Sequence, residues 1–258
     1  MSINDINNAA AAMNQLKARY EGFLDDADDQ IGARQAAYDA LANDLEGVVH
    51  GLALKIIYVD PVNGADANTG ASVATALASL PAAYSKALPG GKLEIRIIGE
   101  NADASFEGAV NCHASRLTIT STVGGTDPSR FPTISSGQTN MFFGGLEIRA
   151  VNLNSAAGSL FKSFGSAVVK TLRIDVTVGD FPVFTHHSSE PSHIIMNLTH
   201  THLTDADGAV SPKLMVANTW DFTGTSISIP SGKSWGDYLK VVRAADGVPI
   251  NGLSNIVI

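Results

Sequence analysis

The sequence predicts a mainly β protein: one long N-terminal α-helix over residues 1–50, then a short parallel β-helix over 51–258. Two observations predict it. Before Gly51 the apolar residues recur every three and four positions for seven heptads. From Leu54 onward that period vanishes, and short alternating strands begin 20–29 residues apart. Composition agrees with a folded chain, since 45% of residues are hydrophobic and 16% charged, the opposite of a disordered segment.

The arm comes first. It lacks proline and is rich in Ala, the strongest helix former. One heptad frame places Ile3, Ala10, Lys17, Leu24, Ile31, Tyr38 and Leu45 at a, and Ile6, Met13, Tyr20, Ala27, Arg34, Leu41 and Val48 at d. Only Lys17 and Arg34 interrupt the stripe. A 3.5-residue repeat held this long is a coiled-coil seam, and another copy of the same helix is the simplest partner of matching length. Ser2 or Asn4 suits the start, and Gly47 or Gly51 the end. Nine acids and three bases give the arm a net charge of −6 out of −8 for the chain. With no basic patch, nucleic-acid binding is not expected.

The body follows. Alternation surfaces at Leu93–Ile98, Leu117–Thr120, Leu146–Val151, Leu172–Val178, Ile194–Leu198, Leu214–Val216 and Ile227–Ile229. Strands at this interval suit a solenoid with one rung per 20–30 residues, inward Leu, Ile and Val stacking from rung to rung. An antiparallel β-sandwich is the alternative. It would place hairpin turns every 8–12 residues, whereas Asn63-Gly64, Asp207-Gly208, Asp246-Gly247 and Asn251-Gly252 do not separate the paired strands.

The run Ile57–Ser72 carries Gly64-x-Asp66-x-Asn68-x-Gly70-x-Ser72 directly after a strand. It resembles the opening of pectate-lyase-like β-helix proteins. The resemblance implies a right-handed parallel β-helix, with a capping helix near 74–87 ahead of the first full rung at Leu93. A heptad arm before such a module resembles bacteriophage tail spikes, tail fibres and head spikes. That likeness implies a homotrimer, with Ile3, Ile6, Met13, Tyr20, Leu24, Ile31, Tyr38, Leu41, Leu45 and Val48 in the trimer seam. The motif is structural and implies no catalytic residue.

The candidates for chemistry are individually weak. His186, His187, His193, His200 and His202 cluster within 17 residues, and His200-Thr201-His202 has strand spacing for a metal pair. No Cys accompanies them, so they are read as surface histidines, and no metal or cofactor is expected. Asp175, Asp180, Glu190, Asp205, Asp207 and Asp221 could supply the two carboxyls of a glycosidase, as could the acids of any acidic solenoid. Ser231-Gly232-Lys233-Ser234 lacks the upstream glycine of a phosphate-binding loop, because position 227 is Ile. Ser188 and Ser189 beside His187 lack a nucleophile elbow. Cys112, the lone cysteine, reads as an inert core thiol.

Together these readings lead to a structural virion appendage rather than an enzyme. It is expected to attach to other virion proteins through the arm and to touch host surface polysaccharide with the body. A polysaccharide depolymerase on the same scaffold is the alternative. Trp220, Trp235 and Tyr238 gather near the far end, either as a receptor contact for sugars or as a plug for the open solenoid. No basic leader and no apolar run of about 20 residues is found. Synthesis in the host cytoplasm, no membrane insertion and a place on the virion surface are therefore expected.

Overall fold

The computed structural model describes residues 2–52, 54–142, 144–187 and 192–256, with the backbone alone for 46–52. The chain divides into two units, Met1–His50 and Gly51–Ile258. In the first, helix α1 spans Ile3–Leu52 without interruption. Ser2 and Asp5 close its first turn reciprocally: Asp5 Oδ2 accepts from the Ser2 N–H at 2.8 Å and Ser2 Oγ from the Asp5 N–H at 3.3 Å.

The second unit is a parallel β-solenoid of about five turns. Its strands are β1 (Leu54–Val59), β2 (Lys92–Ile97), β3 (Ala109–Cys112), β4 (Arg116–Ser121) and β5 (Thr133–Ile134). Then come β6 (Gln138–Met141), β7 (Gly145–Arg149), β8 (Asn152–Asn154), β9 (Phe161–Ser163) and β10 (Ala167–Val178). The remainder are β11 (Phe184–His186), β12 (His193–Asp205), β13 (Met215–Val216), β14 (Thr219–Thr225) and β15 (Gly252–Ser254). One sheet runs β1-β2-β4-β7-β10-β12-β14-β15, and a second runs β13-β11-β9-β6-β3. The short strands β5 and β8 extend a third face along the second halves of β10 and β12. Every pairing of these strands is parallel, which overturns the antiparallel sandwich.

Register explains the core. Ile57, Ile95, Ile119, Ile148, Thr171 and Leu198 align across six strands, and all are buried. A parallel row, Leu93, Leu117, Leu146, Val169, Met196 and Phe222, lies two residues earlier on each rung. The in-register repeat thus starts at 93, 117, 146, 169, 196 and 222. Leu172 is corrected: it faces outward, aligned with Arg149 and Thr199, while Thr171 points in. Leu214 belongs to the second sheet, immediately before β13.

The cause is a repeated corner. Ala150, Arg173, His200 and Ser226 all have positive φ, between 47° and 55°. A left-handed residue breaks the two-residue alternation, so the buried positions on either side are three apart: Ile148 and Val151, Thr171 and Ile174, Leu198 and Thr201. Thr171 and Thr201 satisfy each other inside the core, their hydroxyls 2.8 Å apart.

The opening motif is accounted for atom by atom. A Cβ on Gly64 would lie 2.2 Å from the Leu77 carbonyl oxygen. Asp66 accepts from the Ala78 and Ser79 N–H groups, both at 2.9 Å, and from Ser79 Oγ. Asn68 Nδ2 donates to Ala76 O. The expected helix at 74–87 is shorter: a 3₁₀ turn at Val73–Thr75 is followed by helix α2 over Leu80–Ser85. Leu77 between them is extended and bridges Val59, and Pro81 with the Ser79 cap fixes the later start. Helix α2 buries Leu80, Ala83 and Tyr84 in the core.

At the other end, a third helix, α3 (Trp235–Tyr238), is capped by Ser234 and Asp237. This explains the Ser231–Ser234 run as a helix start. A Cβ on Gly252 would strike the Trp220 ring at 2.2 Å, so β15 can pair beside that indole only with glycine there.

Because Ile119 sits between Ile95 and Ile148 and is fully buried, Ile119→Ala should destabilise the body by about 2–5 kcal/mol. A matching fall in the urea unfolding free energy would show it; a change within about 0.5 kcal/mol would mean that the row does not carry the core.

Candidate functional site

The corner that breaks the alternation also builds a cleft of about 430 Å³. Its floor is two rows of outward side chains on three successive rungs. Arg173, His200 and Ser226 occupy the left-handed positions, and Asp175, His202 and Ser228 stand two residues further on. Thr126 and Pro128, in the loop between β4 and β5, form a wall. Asn152 holds wall and floor together: its Nδ2 donates to Pro128 O at 2.8 Å, and its Oδ1 accepts from the Asp175 N–H at 3.0 Å. Arg130, at the end of the wall, pairs with Glu100.

The electrostatics are mixed. Burial raises the Asp175 carboxyl above its ordinary value. His202, with Nδ1 at 4.0 Å, opposes the shift, and Asp127 in the wall adds to it. Arg173 contributes a fixed cation from the neighbouring floor position. Both members of the expected histidine pair, His200 and His202, line this cleft. Among the described residues no group of three His, Cys, Asp or Glu side chains is placed to hold a metal ion.

The other candidate residues go elsewhere. His186 Nδ1 donates to Val216 O at 3.1 Å. His193 lies between Thr219 Oγ1 at 3.0 Å and Asp221 Oδ2 at 3.2 Å on the open outer face of the first sheet. Asp180 accepts from the Val210 and Ser211 N–H groups, fixing a turn. Asp205 accepts from the Tyr238 hydroxyl and faces Lys233. Asp207 is exposed in a turn. Ser188, Ser189 and Glu190 lie outside the described residues. Cys112 is buried, and burial pushes its thiol upward, away from the reactive thiolate.

Trp220, Trp235 and Tyr238 are 0%, 8% and 0% exposed. Trp235 packs on Phe222 with centroids 5.1 Å apart, and the Trp220 Nε1–H donates to Lys240 O. As placed, the three rings present little surface to solvent. The seam residues are the reverse case: from Ile3 to Leu45 they are 45–77% exposed in the single chain. Leu16 and Phe23, at 69% and 68%, widen the stripe at g positions. The side chain of Val48 lies outside the described residues.

Sequence reasoning missed Arg173, Ser226, Ser228 and the wall. It also missed a ladder of four stacked rings, His113, Phe142, Phe164 and His187, whose successive centroids are 5.0, 4.8 and 4.6 Å apart. Rings recurring just after consecutive strands were the available signal for the ladder. For the cleft it was the three-residue step between inward positions.

Comparison with known protein families, curated proteins and solved structures finds no match for this chain.

The raised Asp175 carboxyl couples folding to pH. Its folded value lies above the unfolded one, so the relative stabilisation is complete below about pH 4 and is lost as the pH rises through the folded value. Asp175→Asn should therefore raise the Tm at pH 7 and leave it nearly unchanged at pH 3.5. Thermal melts at the two pH values decide it; a variant that melts lower at pH 7 would mean that the carboxylate's contacts outweigh its desolvation.

Proposed function

We propose that this chain is the subunit of a homotrimeric virion appendage, a tail spike, tail fibre or head spike. In this reading the N-terminal helix attaches it to other virion proteins, and the β-solenoid touches host surface glycans. The exposed heptad stripe of α1 is the observation that carries the reading. Nine large apolar seam side chains along one helix, from Ile3 to Leu45, leave an apolar surface that water penalises. Three copies wound together bury that stripe at the axis. Lys17 and Arg34 then act as polar interruptions that select register.

A body of stacked rungs suits the outward end. Its stability comes from neighbouring rungs, so outer side chains can vary without disturbing the core. The resemblance of the Gly64–Ser72 run to pectate-lyase-like openings supports the same assignment. In this reading the chain is made in the host cytoplasm, resides on the virion surface, needs no cofactor and is not an enzyme. Glycan cleavage is the second reading. What favours it is Asp175, a carboxyl raised by burial and set beside His202 in a cleft.

Light scattering on the purified chain should give about three times 26.9 kDa. Leu24→Asp together with Ile31→Asp places charges in the seam and should lower the assembly state. A monodisperse wild-type monomer would overturn the appendage reading. Incubation with host capsule or lipopolysaccharide separates the two activities: retention without fragments supports adhesion, and release of oligosaccharides supports the depolymerase.

A further inference from the structure

We propose that the cleft at the left-handed corner is a binding site for a neutral pyranose unit of a host glycan. The proposal rests on the reading that the body contacts glycans, and it commits that contact to one place and one ligand class.

Shape is the first argument. A cleft of about 430 Å³ lies within the roughly 300–1,000 Å³ typical of small-molecule sites. That suits a sugar ring or two rather than a long extended chain. Its wall is anchored through Asn152, so the cavity exists without rearrangement of the strands.

Chemistry is the second. Floor residues on successive rungs stand about 4.8 Å apart, so side chains from different rungs can reach different, non-adjacent hydroxyls of one pyranose ring. Arg173 only donates, an ionised Asp175 only accepts, and Ser226, Ser228 and the two imidazoles can do either. A ligand bearing several hydroxyls, each donor and acceptor at once, can satisfy such a set. The Pro128 ring and the imidazole faces supply apolar surface for the C–H side of a sugar.

Charge is the third. The lining holds one cation, Arg173, and one carboxylate, Asp175, while the nearby Asp127 carboxylate is itself opposed by Arg130. An anionic sugar would meet the carboxylate, and a cationic one would meet the guanidinium. Neither gains over a neutral ring. Ala150 shares the left-handed conformation outside the cleft, so that conformation belongs to the corner itself. What sets the cleft apart is that Arg173 and His200, long polar side chains, occupy positions where a β-carbon is disfavoured.

Saturation-transfer NMR on the full chain tests this, with the methyl glycosides of glucose, galactose, mannose and rhamnose as probes and methyl glucuronide and methyl glucosaminide as charged counterparts. At least one neutral glycoside should bind saturably and more tightly than either charged one. Asp175→Ala and Ser228→Ala should each weaken it, the former by roughly tenfold. Arg149→Ala, on the outer sheet face, should leave it unchanged. Circular dichroism checks that each variant folds, and Ser228→Ala avoids the left-handed position. Saturable binding by no neutral glycoside, tighter binding by a charged one, or binding indifferent to both cleft variants would overturn the proposal. Host-cell adsorption separates the two levels. If adsorption survives every cleft variant, the cleft is not the contact, while the wider glycan reading stands. If glycosides bind the cleft of a chain that is monomeric, the appendage reading falls and the cleft stands.

Discussion

Everything in the body depends on one constraint: equivalent residues of successive rungs must stack in register. Each parallel strand is hydrogen-bonded to the rung before and the rung after, so a one-residue slip in any rung would turn its inward set to water. The row from Ile57 to Leu198 meets that constraint with side chains of similar size. Where it does not, the structure compensates locally. Thr171 enters the row as a polar residue and is satisfied by Thr201. At the far end Trp220 replaces a smaller residue, and Gly252 makes room for it on the next rung.

The same constraint generates the candidate site. A solenoid has to turn corners without losing register, and this chain turns one of them with a left-handed residue on four rungs, Ala150, Arg173, His200 and Ser226. Once the corner is aligned, its outward side chains are aligned too. Polar groups far apart in sequence therefore become neighbours at rung spacing. The β4–β5 loop, tied down by Asn152, encloses them on one side. The outer face of the first sheet shows the same logic with charges. Burial alone would raise the Glu147 carboxyl, but hydrogen bonds from Arg149 and from Arg116 on the preceding rung hold it below its ordinary value.

Much of this was legible in the sequence, and the exceptions have physical causes. The helix was legible because seven heptads without proline leave few alternatives, and the rungs at Leu93, Leu117 and Leu146 because simple alternation marks them. The Gly64–Ser72 motif was legible as a turn, although the partners of Asp66 and Asn68 were not. Leu172 was misplaced because Leu172, Ile174, Val176 and Val178 read as one alternating strand, and nothing in the letters marks Arg173 as left-handed. Left-handed positions usually carry Gly or Asn, so Ala, Arg, His and Ser gave no warning. The cleft was illegible for the same reason. Its residues converge only once the phase break is known, and its wall, Thr126 and Pro128, comes from a loop that precedes every floor rung in the chain.

In this register the inward isoleucines of consecutive rungs touch. Methyl NOE spectroscopy on selectively labelled isoleucine tests it most directly. A sequential chain of contacts is expected, Ile57 to Ile95, Ile95 to Ile119 and Ile119 to Ile148, with contacts between next-nearest rungs weak or absent. An Ile95 that contacts Ile148 but not Ile119, or strand amides showing the cross-strand pattern of antiparallel hairpins, would contradict it.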